Sequence, residues 1–166
     1  YSDDLSKSYP DEVLDDREGI PITLSIVYLE LARRLGVTGV YGVSLPGRFM
    51  LGYDDFSDGE KSVRFIDVFD HGKVLTKDEA QMLIFRSTGA SIDEKTLQPA
   101  TPRHMILRML YSMNSFTKKA EKSLSYLDLI LSIDPDSTQE RLNRALTRMK
   151  VNDREGAKKD HAILLE

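Results

Sequence analysis

The side chains able to do chemistry are few and widely spaced. Cysteine is absent, which removes thiolate nucleophiles, disulfides and cysteine-ligated metals. His71, His104 and His161 stand far apart without ligand-like spacing, so neither a metal nor a cofactor is expected. Thr23 and Ser25 sit near the start of an apolar segment and are the candidate hydroxyl nucleophiles, but each needs a positioned base and none is evident beside them. Asp54, Asp55 and Asp58 imitate part of a calcium loop with the wrong spacing and no distal glutamate, and read as a solvated loop. No phosphate-cradling glycine motif occurs. The acidic lead-in, with Asp3, Asp4, Asp11, Glu12, Asp15 and Asp16, suits a basic partner but reads first as a solvated segment. The pairs Lys118-Lys119 and Lys158-Lys159 are too small for a nucleic-acid patch, and the formal net charge of -4 argues against nucleic acid and anionic membranes. No run approaches the ~20 apolar residues of a membrane span.

The elements that must position these residues are clear. Residues 17–36 read as one helix with marked ends. Gly19 permits a turn, Pro21 suits the first helical turn, Arg33 and Arg34 complement the dipole at the far end, and Gly36 stops it. Leu24, Val27, Tyr28, Leu31 and Leu35 share a face, widened by Ile22, Ile26 and Leu29. The helix is expected to span Pro21 to Leu35 and to be the most buried element, with Leu24, Tyr28 and Leu31 against strands holding Val43 and Ile66. Residues 37–45, 48–53 and 63–69 read as strands, with Pro46-Gly47 as a turn and a short fourth strand at 73–75. Short connections favour an antiparallel sheet. Thr76 and Glu79 have the spacing of a capping box and open a further helix.

Residues 87–101 read as a linker with Ile92 and Leu97 as anchors, and the texture beyond Pro102 is purely helical. Met105, Ile106, Met109, Leu110 and Met113 form one stripe. Leu124, Leu127, Ile130 and Leu131 form a second, Leu142, Ala145, Leu146 and Met149 a third, and Ala157, Ile163, Leu164 and Leu165 a fourth. Methionine-rich stripes serve adaptable binding surfaces as well as cores.

The ordered series Val13-Leu14, Gly19-Ile-Pro-Ile-Thr-Leu-Ser25, Tyr28-Leu-Glu-Leu-Ala-Arg-Arg-Leu-Gly36, Tyr41-Gly-Val-Ser-Leu-Pro-Gly-Arg-Phe49 and Phe65-Ile-Asp67 resembles the SirB1 family. That family carries a transglutaminase-like domain followed by tetratricopeptide (TPR) helices, with further N-terminal sequence not present here. The resemblance implies an α+β fold. A papain/transglutaminase-like core, a central helix on a small antiparallel sheet, would occupy residues 1–100, and an all-α TPR-like module residues 101–166. Roughly 34-residue helical spacing, Pro135 at a unit's close, Leu107, Leu110 and Leu127 at large positions, Ala145 and Ala157 at small positions and Asn152-Asp153 in a turn agree with it. Tyr111 and Ile130 depart from it by their bulk.

In active relatives a cysteine begins the central helix, a histidine begins one strand and an aspartate lies on the next. Here Pro21 stands at the first position and Arg48 at the second, and only Asp67 matches its role. Arginine cannot act as a base. The resemblance therefore implies a pseudoenzyme: a scaffold, adaptor or assembly factor for a protein or peptide partner. The candidate contact residues are Met105, Met109, Tyr111, Met113, Arg144 and Arg148. The alternative is a hydrolase or acyl-transferase with a non-thiol nucleophile. Arg48 and Asp67 are expected within ~4 Å of each other, pointing toward Pro21. The protein is expected in the cytoplasm if bacterial, or in the chloroplast stroma if from a plant or alga, and not secreted. The start at Tyr1 suggests a fragment of a longer protein.

Overall fold

The computed structural model describes residues 5–57 and 59–165. Pro10 and Pro21 each begin a helix, α1 (Pro10–Asp16) and α2 (Pro21–Arg34), where a missing N–H leaves no bond unmade. Gly19 precedes α2 for a steric reason rather than for a left-handed turn, since an added Cβ would lie 2.9 Å from Thr23 Oγ1 and 3.0 Å from Val13. The chain then makes four antiparallel strands in sequential order, β1 (Val40–Leu45), β2 (Arg48–Asp55), β3 (Ser62–Asp67) and β4 (Lys73–Leu75), followed by α3 (Lys77–Thr88). Thr76 Oγ1 accepts the Glu79 amide (3.2 Å) and the Glu79 carboxylate accepts the Thr76 amide (2.8 Å), the reciprocal cap that the spacing predicts. The fold is α+β.

Alternation along the strands divides the sheet into two faces. Val43, Leu45, Met50, Phe65 and Leu75 form a core with Ala80 and Ile84 of α3, against which Ile92 and Leu97 also pack. The Ala100 amide donates to the Gly42 carbonyl at 2.7 Å, tying the linker to β1. Helix α2 packs on β1 and β2. It does so through a different face from the one expected. Ile22, Ser25 and Ala32 are its buried residues besides Thr23, whereas Tyr28, Leu31 and Leu35 are exposed and Leu24 is half-buried. Small side chains let the helix approach closely, and Ser25 is buried because its hydroxyl donates to the Pro21 carbonyl at 2.7 Å. Hydrophobicity alone did not distinguish this stripe from the larger one a third of a turn away. Leu31, 54% exposed, is thus no core residue. Replacing Ile22 by Ala is expected to cost about 2–5 kcal/mol, read from hydrogen exchange of the α2 and sheet amides. Leu31→Ala is expected to cost about 1 kcal/mol or less.

The described residues divide into two compact units, Ser6–Met105 and a second beginning at Ile106. The second holds most of α4 (Pro102–Phe116), then α5 (Ala120–Ile133), α6 (Thr138–Lys150) and α7 (Arg154–Leu164). Leu107, Leu110 and Met113 of α4 are buried, as are Tyr126, Leu127, Ile130 and Leu131 of α5. Between α6 and α7, Asn152 adopts φ 65° and Asp153 Oδ1 accepts the Gly156 amide at 2.9 Å. Ala145 and Ala157, small as expected, are the buried apolar residues of this pair. Asp153→Ala is expected to destabilise the unit by about 1 kcal/mol, read as faster hydrogen exchange in the first turn of α7. In the third expected stripe Ala145 is buried, whereas Leu142, Leu146 and Met149 are exposed, so most of that stripe is a surface.

Candidate functional site

The turn at Pro46-Gly47 aims the first candidate residue. Proline sets the first turn position and Gly47, at φ +69°, takes the second, where an added Cβ would also strike Thr88 at 2.6 Å. Arg48 therefore begins β2 directly opposite Leu45, two residues before the core residue Met50. Asp67 ends β3 two residues after Phe65, and Lys73 pairs with it on β4 two residues before Leu75. The two-residue period places Arg48, Asp67 and Lys73 on the face covered by α3.

Arg48 and Asp67 meet there. Arg48 Nη2 lies 3.0 Å from Asp67 Oδ2, with Asp67 1% and Arg48 21% exposed. The contact is ionic rather than an aligned hydrogen bond, because Oδ2 receives no hydrogen bond among the described residues. The other carboxylate oxygen, Oδ1, accepts the amides of Phe69 (3.1 Å) and Asp70 (3.3 Å) and so caps a 3₁₀ turn at Val68–Asp70. The Arg48 guanidinium also lies over the Phe69 ring, 5.8 Å from its centroid. The expected orientation toward Pro21 is corrected by this geometry. The cavity that Arg48 lines, about 440 Å³, is walled by β4 and α3, with Lys73, Glu79, Met82, Leu83 and Arg86 around it. The α2 residues are absent from that wall.

The hydroxyl candidates are occupied by the backbone. Thr23 Oγ1 donates to the Lys7 carbonyl (2.8 Å) and accepts the Ile20 amide (3.1 Å), closing the start of α2. Both Thr23 and Ser25 are fully buried. Asp54 pairs with Lys61 at 2.7 Å and Asp55 with Arg64 at 3.2 Å, while Asp58 lies outside the described residues. The Ser57 amide bonds hold the Asp55 carboxyl below its ordinary range. Among the described residues, no three histidine or acidic side chains cluster as metal ligands.

In the helical unit the polar centre is Asp160, 1% exposed on α7. It accepts Arg144 Nε at 2.9 Å and Arg148 Nη1 at 3.0 Å, with Arg141 Nη1 at 3.8 Å. Arg144 also reaches Asp128 of α5 at 2.8 Å. The bond to Asp160 raises the Arg144 pKa further. This corrects the expectation that Arg144 and Arg148 face a partner, because both guanidiniums neutralise a buried carboxylate. Met113 is likewise core, 7% exposed, while Met105, Met109 and Tyr111 are half-buried. A second concavity of about 520 Å³ runs between α6 and α7, floored by Leu142, Leu146 and Met149 and rimmed by Arg154, Lys158 and His161.

Lys73, Arg86 and Asp160 did not stand out in the sequence. Lys73 has the parity of Leu75, and Asp160 lies three residues after the small buried Ala157, so periodicity carried a signal for both.

A helix, α2, packed on an antiparallel sheet with a buried aspartate at the end of β3 agrees with the core that the resemblance implies. The chain belongs to the transglutaminase-like superfamily, which matches residues 2–111. It is similar to a UPF0162 protein of Xylella fastidiosa (strain 9a5c), 29% identical over 167 residues, covering 95% of this chain and 57% of that protein. A UPF0162 protein of Vibrio cholerae is 26% identical over 168 residues, covering 98% of this chain and 60% of the relative. F-box only protein 21 of Homo sapiens is 32% identical over 141 residues, 79% of this chain and 22% of that protein. The chain thus spans a little over half the length of these bacterial relatives and about a fifth of the human one. No solved structure matches. No helix among the described residues is long and apolar enough to cross a membrane.

Proposed function

We propose that this chain is a non-catalytic interaction module, a SirB1-like pseudo-transglutaminase domain joined to TPR-like helices, acting as a scaffold, adaptor or assembly factor. The observation that carries the reading is the Arg48–Asp67 ion pair. A guanidinium stands where the family's base is expected, and it cannot accept a proton near neutral pH. No thiol exists anywhere in the sequence, and the hydroxyls of Thr23 and Ser25 are buried against carbonyls. The α6–α7 hairpin, with Ala145 and Ala157 at its contact and Asn152-Asp153 in its turn, supports the TPR-like assignment. Its apolar floor and basic rim suit an amphipathic peptide with acidic flanks.

The test is enzymatic. Incubated with glutamine peptides and an amine donor, and separately with thioesters, the chain is expected to give no cross-linking and no acyl transfer above background. Turnover that disappears in Asp67→Ala would overturn the reading in favour of a hydrolase or acyl-transferase with a non-thiol nucleophile.

A further inference from the structure

We propose that the cavity between Arg48, Lys73 and Arg86 binds an organic carboxylate, its charged end on the three cations and its apolar body on Met82 and Leu83. The inference holds independently of whether the chain is an interaction module. Three cationic side chains reach one concavity from three elements, β2, β4 and α3, in a protein whose net charge is -4. Each is differently prepared. Arg48 is fixed from behind by Asp67, so its planar fork is ordered before any ligand arrives. Lys73 and Arg86 form no ion pair among the described residues. The acidic side chain lining the cavity, Glu79, is already engaged by the Thr76 amide, which holds its carboxyl below the ordinary range.

Charge and shape select the ligand class. Three cations against Asp67 and Glu79 leave one net positive charge, 3 − 2 = 1, which matches a monoanion better than a phosphate dianion. Met82 and Leu83 offer an apolar surface that an inorganic ion cannot use. The volume of about 440 Å³ falls in the range of small-molecule sites.

The experiment titrates the isotopically labelled chain with hexanoate, hexylammonium and inorganic phosphate and follows backbone amide resonances. Hexanoate is expected to saturate, moving resonances at Arg48, Lys73 and residues 82–87, with binding weakened by added salt. Arg86→Ala and Lys73→Ala, which remove no ion pair, are each expected to weaken hexanoate roughly tenfold, the effect of losing one charge-assisted hydrogen bond. Hexylammonium is expected to leave these resonances in place. The proposal is overturned if hexanoate does not saturate, if hexylammonium binds equally well, if phosphate binds and hexanoate does not, or if both variants bind hexanoate unchanged.

Discussion

Asp160→Ala is expected to destabilise the helical unit by about 3–5 kcal/mol, the range for removing one partner from a buried ion cluster. The carboxylate is 1% exposed and receives Arg144 at 2.9 Å and Arg148 at 3.0 Å, with Arg141 at 3.8 Å. Without it, three guanidiniums of α6 remain close together, and the more exposed Asp128 of α5 and Asp153 at the start of α7 are left to offset them. Their mutual repulsion adds to the lost hydrogen bonds. Asp160→Asn, which keeps acceptor capacity without the charge, is expected to fall between the variant and the natural chain. Because the chain has two units, a single unfolding curve is a poor reading. Hydrogen exchange of α6 and α7 amides is the suitable measurement, and a loss below about 1 kcal/mol would mean that the arginines find other partners.

Asp67→Ala is expected to cost the first unit a similar amount, about 3–5 kcal/mol. Two losses combine. The amides of Phe69 and Asp70 lose their cap, so the 3₁₀ turn that leads into β4 loosens. Arg48 loses the counter-charge that holds it at the edge of the core. The 21% exposure of Arg48 offers partial relief, since the guanidinium can move outward toward water. Asp67→Asn keeps an oxygen for the two amides and removes the charge, and is expected to cost less than Asp67→Ala. Hydrogen exchange at Phe69 and Asp70 separates the two losses: fast in the alanine variant, near natural in the asparagine variant.

Much of this architecture was legible because local signals agreed. Proline at the start of α2, the Pro46-Gly47 turn, strand alternation and the Thr76–Glu79 cap each predicted the observed element. What was not legible depended on tertiary context. The buried face of α2 is set by how closely Ser25 and Ala32 let it approach the sheet, and neither residue is conspicuous in a hydrophobicity pattern. Arg144 and Arg148 read as surface charges until Asp160 is seen buried between them. Arg48 and Asp67 were expected together from resemblance. The face they occupy follows instead from parity with Met50 and Phe65, which places them under α3 rather than at the start of α2.

The central claim is that a structural ion pair occupies the position of an acid–base dyad. A double-mutant cycle of Arg48→Met and Asp67→Asn tests it most directly. Arg48→Met alone leaves a buried carboxylate without its cation, Asp67→Asn alone leaves the guanidinium without its anion, and the double variant leaves neither charge. The account predicts that the double variant loses less than the sum of the singles, with a coupling of about 1 kcal/mol or more read from hydrogen exchange of the β2 and β3 amides. Losses that add to within about 0.5 kcal/mol would show that the two side chains do not interact, and would contradict it.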